Sequence, residues 1–206
     1  MKTIQFPNLG IIEKKLSTGE IDYLWKCIED KGNEYKSALV GHIENSYELG
    51  GADHFYGTTV APMINEYQTK FNNLGEKIPT TSGHPYVMSQ WWVNYQRETE
   101  FNPIHNHNGV YSFVIWMKIP TNYAVQRDYM FNDSAVSNFE FQYINILGDM
   151  ESFTYYMSGQ MEGTMVLFPS KLKHQVYPFY NCKEQRVSIA GTVSYTHLTL
   201  PTSDLV

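Results

Sequence analysis

Residues 91–120 read WWVNYQRETEFNPIHNHNGVYSFVIWMKIP, and this stretch decides the fold. Its two ends are dense in aromatic and β-branched residues, and they flank a turn-forming segment at 102–109. Such side chains pack well on pleated surfaces, so both ends predict strands. His105 and His107 stand two residues apart, and alternate side chains of an extended chain project from the same side. The segment therefore predicts strands beside a pair of imidazoles that face one way.

Several other segments after residue 85 share this character and are separated by clusters of Gly, Pro, Asn and Asp. The predicted strands are 86–96, 110–120, 139–147, 163–169, 174–179 and 186–193. No helical pattern lies between them, which is typical of a sandwich or jelly roll. We therefore expect a mainly β fold, a cupin-like double-stranded β-helix, with N-terminal helices packed on it.

The helical signal lies in the first eighty residues. Ser17 or Thr18 can cap a helix that carries Glu20 in its first turn and ends before Gly32. Apolar residues recur within it at helical spacing: Ile21, Leu24, Trp25 and Ile28. A second helix is predicted over 58–73, followed by a loop rich in Gly, Pro and Thr.

These patterns divide the chain into three parts. Residues 1–85 form a helical and irregular part packed on the barrel, and residues 86–193 form the β-helix core. The final stretch 194–206, SYTHLTLPTSDLV, resembles a translated cloning-adaptor sequence that contaminates environmental shotgun reads. We expect the natural sequence to be cut off near Val193, which removes His197 from any site.

Composition excludes several classes of function. The chain has 206 residues, 42% hydrophobic and 15% aromatic, which suffices for a packed core and argues against disorder. A formal net charge of -6 without any run of Lys or Arg argues against a nucleic-acid partner. No apolar run approaches a membrane span and no signal peptide is evident. Cys27 and Cys182 form no disulfide framework, so we expect a soluble protein in a reducing, cytoplasmic compartment.

Three histidines are candidate metal ligands. His105 and His107 can chelate one ion, although this spacing does not choose among iron, copper, zinc and nickel. Downstream, the predicted strand 163–169 runs into a turn that delivers His174 at the start of the next strand. Each signal alone also fits an ordinary surface or core histidine, and it is their order along successive strands that favours a metal site.

The last predicted strand opens with Arg186-Val187-Ser188, in which Arg186 and Ser188 share one face. An arginine inside a hydrophobic barrel requires an anion, and guanidinium holds a carboxylate through two parallel hydrogen bonds. The serine hydroxyl adds one more donor. An exposed arginine near the chain end is the alternative interpretation.

The segments at 91–120, 166–179 and 184–193 together resemble iron(II)/2-oxoglutarate oxygenases of marine bacteria and their phages, which are related to prolyl hydroxylases. The resemblance covers roughly 86–193. It implies that His105 and His174 are iron ligands, each donating its other N–H to an acceptor, and that Arg186, helped by Ser188, binds the distal carboxylate of 2-oxoglutarate.

The sequence departs from this superfamily at position 107, where the wider pattern has Asp or Glu as the third ligand. We expect His107 to be the third ligand instead, with Fe(II) and 2-oxoglutarate as cofactors. The alternative is that His107 lies beside the ligands and that Asp128 or Asp133 binds the metal. Asn106 and Asn108 are interpreted as turn formers.

Three aromatic residues and three further histidines are weaker candidates for the cavity. Tyr95, Tyr111 or Trp116 could contact 2-oxoglutarate or shape the substrate cavity, although aromatic residues on strands are more often core. The remaining N-terminal histidines are interpreted as structural or surface residues, of which the first two could border a substrate groove: His42, His54 and His84.

The sequence thus predicts a 2-oxoglutarate-dependent dioxygenase that hydroxylates a peptide, prolyl or small-molecule substrate. A cupin-type metal enzyme is the first alternative, since Gly163, Pro169 and His174 fit its second signature, but Lys171 replaces a glycine and no Glu follows the histidine pair. A non-catalytic binding module with a degenerate site is the second. No nucleic-acid or membrane partner is expected, and a homodimer is compatible with the sequence.

Overall fold

The computed structural model describes residues 9–71, 74, 85–129 and 135–196. Its strands are β1 (Ile12–Lys15), β2 (Asn45–Glu48), β3 (Tyr86–Gln96), β4 (Asn102–His105), β5 (Tyr111–Lys118), β6 (Phe139–Ile144), β7 (Met150–Tyr155), β8 (Thr164–Pro169), β9 (Lys173–Val176) and β10 (Arg186–Tyr195). Its α-helices are α1 (Thr18–Glu29), α2 (Ala52–Phe55), α3 (Ala61–Phe71) and α4 (Tyr123–Tyr129).

The strands form two antiparallel sheets. The larger sheet has the order β1-β8-β5-β10-β3-β2 and the smaller sheet the order β4-β9-β6-β7. Most neighbours in each sheet are not consecutive strands, as β10 lies between β5 and β3, whereas β6 and β7 form a hairpin. This crossed connectivity is that of a jelly roll, which confirms the predicted fold class.

Each face of the larger sheet covers its own hydrophobic core, because side chains alternate along a strand. One face packs against α1 and α3 through residues such as Val93, Ile115 and Ile189. The opposite face carries Trp116 and Val166, which pack against the smaller sheet. A residue's position in this alternation therefore decides whether it faces the helices or the space between the sheets.

The first helix forms as its sequence predicts. Ser17 is the N-cap of α1, and a complete capping box joins it to Glu20. The buried residues of the helix, Leu24, Cys27 and Ile28, lie on one face, as the apolar spacing predicts.

The second helix differs from its prediction of 58–73. Helical structure already begins at Ala52 and passes through a π-helical turn, Tyr56–Val60, before α3. None of the helices in the described residues has the length and apolar character needed to cross a bilayer.

The last strand continues past residue 193. Ser194 pairs with Val87 and Tyr195 with Tyr86, so β10 includes the first two residues of the stretch 194–206. Residues 197–206, and with them His197, lie outside the described residues, as do most of the loop before residue 85 and His84.

Candidate metal centre

Pairing of β4 with β9 brings the first and last predicted ligands together. His105 ends β4 and stands opposite His174 of β9 in the strand register. The strand contains Pro103, which is tolerated because β4 is an edge of its sheet. His107 follows two residues later, where its backbone N–H donates to the carbonyl of Ser170, 2.9 Å away.

A sharp turn after His107 depends on Gly109. This residue has φ of 118°, and a Cβ added to it would lie 2.6 Å from Cγ2 of Thr192 and 2.9 Å from the carbonyl oxygen of Val193. Glycine is therefore required where the chain leaves the histidines and enters β5.

The three imidazoles converge on one point. Their ring centroids are 4.3 Å apart for His105 and His174, 5.0 Å for His105 and His107, and 5.1 Å for His107 and His174. One ligand nitrogen from each ring lies within 4.8 Å of the other two. This arrangement allows one small ion to bind all three rings.

Backbone carbonyls orient two of the rings. Nδ1 of His105 lies 2.8 Å from the carbonyl oxygen of Pro103, and Nδ1 of His174 lies 3.0 Å from that of Leu172. A carbonyl can only accept a hydrogen bond, so Nδ1 carries the proton in each ring and Nε2 keeps a free lone pair. The sequence predicts an acceptor for each ring without identifying it, and these two carbonyls are the acceptors. They hold both rings in the orientation and tautomer that can bind a metal ion through Nε2.

Burial keeps all three rings neutral. Desolvation lowers the pKa of His105, and desolvation together with the neighbouring His105 lowers the pKa of His107 to about 4. His174 is only 4% exposed, and burial holds its pKa well below the usual value. Neutral imidazole is the form that binds a metal ion, so the rings are in the ligating state at pH 7.

The histidines line a cavity of about 300 Å³ that Arg186, Ser188, Trp92 and Trp116 also line. Ser188 lies between Asn94 of β3 and Trp116 of β5 in the register of the larger sheet. The predicted residues His105, His107, His174, Arg186 and Ser188 therefore border one space between the sheets.

Arg186 is a buried cation held by neutral groups. It is 3% exposed, and its Nη2 donates to the carbonyl oxygen and to Oγ of Ser137, 2.7 and 2.8 Å away. Its Nη1 donates to Oε1 of Gln96 at 3.3 Å, and the ring of Phe179 lies 5.2 Å from the guanidinium carbon. Its Nε is buried without a hydrogen-bond partner among the described residues.

This arrangement corrects one detail of the sequence prediction. Because Nη2 donates twice to Ser137 and Nη1 once to Gln96, the donors left for a ligand are Nε and one hydrogen of Nη1. The two terminal nitrogens, Nη1 and Nη2, therefore cannot together form two parallel hydrogen bonds with a carboxylate. Burial lowers the pKa of Arg186 to about 10, so the group stays protonated at neutral pH. No described carboxylate pairs with it, and a buried cation without a partner fits an anionic ligand.

The structure also corrects the roles considered for two tyrosines. Tyr95 and Tyr111 lie on the face of the larger sheet that packs against the helices, where Tyr95 contacts Tyr47 and Tyr111 contacts Tyr67. Of the three aromatic residues considered, Trp116 alone lines the cavity. The alternation along β3 and β5 is the reason, because both tyrosines have the opposite parity to Trp92 and Trp116, which lie on the same strands and line the cavity.

Other candidates lie outside the ligand cluster. Asp128 is an exposed residue of α4 and does not line the cavity, and Asp133 lies outside the described residues. Asn106 and Asn108 are exposed residues that border the cavity.

The two described N-terminal histidines each contact an aromatic ring. His42 stacks on Phe101 with centroids 4.7 Å apart, and the ring of His54 lies at the same distance from Tyr23. Neither histidine lines the cavity. These contacts agree with the structural roles expected for them.

Sequence reasoning missed the residues that surround the predicted ones. Trp92 packs edge-on against His107 with centroids 5.8 Å apart, and Gln96, Ser137 and Phe179 hold Arg186. The one available signal is that Trp92 and Gln96 share a strand face, since both are even-numbered residues of β3. Nothing in the sequence indicates that this face meets Arg186.

Residues 90–191 match a family model described as "Putative 2OG-Fe(II) oxygenase". The matched range includes all three histidines as well as Arg186 and Ser188. No curated protein shows significant sequence similarity to the chain.

Solved structures of known oxygenases share the fold. A prolyl hydroxylase from Trichoplax adhaerens, in complex with a peptide fragment of hypoxia inducible factor, is 14% identical over 90% of this chain and 82% of that chain, with a TM-score of 0.53. A prolyl-4-hydroxylase from Pseudomonas putida is 12% identical, with coverages of 90% and 92% and a TM-score of 0.50. The viral collagen prolyl hydroxylase of Paramecium bursaria Chlorella virus-1, determined with 2OG, is 12% identical, with coverages of 89% and 94% and a TM-score of 0.50.

These comparisons favour the oxygenase over the cupin alternative. The structures establish the fold, and the family match falls on the segment that carries the histidines and Arg186. Residues 90–191 of the chain therefore belong to the 2OG-Fe(II) oxygenase family, whose members are enzymes that use iron(II) and 2-oxoglutarate.

Proposed function

We propose that His105, His107 and His174 bind one iron(II) ion, that Arg186 and Ser188 bind the distal carboxylate of 2-oxoglutarate, and that the enzyme hydroxylates a small-molecule or peptide substrate. The observation that carries this proposal is that three neutral imidazoles line the same cavity as one buried guanidinium, which has no carboxylate partner among the described residues.

The ligand set fits iron(II). Two rings present Nε2 with a free lone pair because their Nδ1 atoms face backbone carbonyls. Imidazole is a suitable ligand for iron, and a metal ion held by only three protein ligands would have coordination positions left for the cosubstrate. With His107 in place of a carboxylate, the ligands contribute no charge, so the metal keeps its full 2+ charge.

The other end of the cavity fits a carboxylate. A cation taken out of water is unfavourable unless an anion accompanies it, and Arg186 has neutral partners only among the described residues. The distal carboxylate of 2-oxoglutarate supplies that anion, and its acceptor oxygens suit the unpaired Nε. Ser188, on the same strand face, supplies a further donor.

Iron(II) and 2-oxoglutarate, when bound, supply the oxidation of a substrate C–H bond by oxygen, coupled to conversion of 2-oxoglutarate into succinate and CO2. The protein's own residues bind and orient. Arg186 would hold the distal carboxylate of the cosubstrate, the three histidines would hold the metal, and the surrounding apolar side chains Trp116, Phe139 and Phe168 limit the access of water.

A reducing compartment such as the cytoplasm is part of the same proposal. Cys27 and Cys182 are both free thiols, which supports such a location.

Turnover of 2-oxoglutarate without a primary substrate tests this function. Purified protein supplied with iron(II), oxygen and 2-oxoglutarate should form succinate, measured by mass spectrometry. Omission of iron, or the change His174→Ala, should abolish this product. Protein that binds neither iron(II) nor 2-oxoglutarate by calorimetry would instead be a non-catalytic binding module.

A further inference from the structure

Gln96 lies next to the guanidinium of Arg186 and accepts a hydrogen bond from it. It is the last residue of β3 and stands opposite Arg186 in the register of β3 with β10. Its side chain is 2% exposed, and its Oε1 lies 3.3 Å from Nη1 of Arg186. The two side chains therefore meet inside the protein, although 90 positions separate them in the sequence.

The amide of Gln96 has a fixed orientation. Its Nε2 donates to the carbonyl oxygen of Glu100 at 2.6 Å and to that of Tyr177 at 3.3 Å. Because both partners can only accept, the amide cannot flip, and Oε1 has to face Arg186. The carbonyls of Glu100 and Tyr177 therefore fix the position of Oε1 of Gln96, and with it the direction of its hydrogen bond from Arg186.

Ser137 holds the other side of the guanidinium. It adopts a positive φ of 66°, which turns both its carbonyl oxygen and its hydroxyl toward Nη2 of Arg186. Its own N–H donates to the carbonyl of Pro178 at 2.8 Å, and its Oγ lies 3.0 Å from Oγ1 of Thr121. Backbone conformation and neighbouring groups therefore fix this contact as well.

The groups that hold Arg186 share one chemical property, since an amide, a hydroxyl, a carbonyl and an aromatic ring carry no formal charge. A carboxylate in their place would neutralise the arginine and compete with an incoming anion. Neutral acceptors fix the direction of the guanidinium while its charge stays available.

We propose that Gln96, together with Ser137, is a positioning residue that orients Arg186 and preserves its charge for the distal carboxylate of 2-oxoglutarate. This inference rests on the proposed role of Arg186 as the carboxylate-binding residue. Gln96 itself is not expected to contact the metal or the reacting atoms.

A pair of ligands separates positioning from general structural support. 2-Oxoglutarate and 2-oxopentanoate share the chelating keto acid, but the second lacks the distal carboxylate. Binding of each is measured by calorimetry, with displacement for the weaker ligand, on the iron(II)-loaded protein without oxygen. An effect that passes through Arg186 changes the affinity for 2-oxoglutarate only.

Three variants test the inference. Gln96→Met keeps the side-chain length and should weaken 2-oxoglutarate binding about tenfold, as expected for loss of a hydrogen bond that orients a charged group. Gln96→Glu should weaken it further, because the new carboxylate pairs with Arg186. Ser137→Gly removes the hydroxyl at a position whose φ suits glycine and should weaken it about threefold. None of the three should change the affinity for 2-oxopentanoate.

Gln142→Met is the matched control. Gln142 lies on β6, donates to Glu140 and does not line the cavity, so both affinities should stay at the wild-type value. Circular dichroism of each variant confirms that it is folded, and Ser137→Gly carries the test if Gln96→Met does not fold.

Opposite results overturn the inference. Equal weakening of both ligands by Gln96→Met shows a structural role, and wild-type affinity in Gln96→Glu shows that the charge of the groups around Arg186 is irrelevant. If the wild-type protein and Arg186→Met each bind 2-oxoglutarate and 2-oxopentanoate with equal affinity, the proposed role of Arg186 is wrong, and this inference is wrong with it. In a further outcome, Arg186→Met loses the preference for 2-oxoglutarate over 2-oxopentanoate while Gln96→Met and Gln96→Glu both keep it. That result overturns the role of Gln96 and leaves the role of Arg186 intact.

Discussion

His105 and His174 stand opposite each other on the paired strands β4 and β9, with ring centroids 4.3 Å apart. About seventy residues of sequence separate them, so it is the sheet that brings the two histidines of the candidate metal centre together. His107 joins them from the turn that follows β4. The relative positions of His105 and His174 therefore depend on the pairing of these two short strands.

Removal of His174 should abolish metal binding. Loss of a group that merely orients a ligand costs about 10- to 100-fold in metal affinity, so His174→Ala should cost at least about 100-fold in affinity for iron(II). Calorimetry without oxygen measures this, and His42→Ala is a matched control outside the cavity. Wild-type iron affinity in His174→Ala would contradict the assignment.

His107 is expected to be the third ligand. His107→Ala should therefore weaken iron(II) binding strongly, whereas His107→Asp should retain it, because a carboxylate also suits iron(II) and lowers the charge of the site by one. Asp128→Asn should leave the affinity unchanged, since Asp128 is exposed on α4. Strong loss in Asp128→Asn with none in His107→Ala would identify the carboxylate as the ligand.

Arg186 should contribute to cosubstrate affinity more than to folding. Arg186→Met should weaken 2-oxoglutarate binding by about 100-fold, because a buried charge-assisted contact is lost. The free energy of unfolding of the metal-free protein should fall by no more than about 2 kcal/mol, because removal of a buried cation without a described carboxylate partner offsets part of the cost of leaving the buried acceptors of Gln96 and Ser137 without their donor. Denaturant titration measures the second quantity, and a loss of several kcal/mol would contradict this account.

Glu20 should make stability depend on acidity. Burial opposes its ionisation, but hydrogen bonds from Lys14, Thr59 and Ser17 outweigh burial and lower its pKa from 4.5 to about 2. A carboxyl group with a depressed pKa stabilises the fold fully above its unfolded value, and this contribution disappears as pH falls from about 4.5 toward 2.

The variant Glu20→Gln tests this dependence. Its free energy of unfolding should be about 1–2 kcal/mol below that of the wild type at pH 7, a value reduced for partial exposure to solvent, and the difference should shrink below pH 4.5. Glu66→Gln, which removes an exposed pair with Lys70, should show little effect at any pH. A difference that is constant with pH would contradict the assignment to Glu20.

The sequence predicted the central strands well and the edge strands poorly. The structure begins and ends β3 where the aromatic run 86–96 predicts. The missed strands β1, β2, β4 and β7 all lie at sheet edges. An edge strand has one neighbour and is partly exposed, so it lacks the apolar pattern that marks a buried strand.

The site was predictable where it depends on rare residue types and short spacings. Two histidines that stand two residues apart indicate a chelating pair from the sequence alone. Gln96 and Ser137 are common residue types, and their contact with Arg186 depends on the register of distant segments. The faces of Tyr95 and Tyr111 were likewise not predictable, because the second half of β3 and nearly all of β5 are buried on both sides and show no alternation.

A crystal structure of the protein grown without oxygen in the presence of iron(II) and 2-oxoglutarate would identify the ligands of the metal and of the cosubstrate together. We expect one ion bonded to a nitrogen of each of His105, His107 and His174, with the distal carboxylate of the cosubstrate on Arg186. An ion bound by a carboxylate in place of His107, or a cosubstrate that does not touch Arg186, would contradict this expectation.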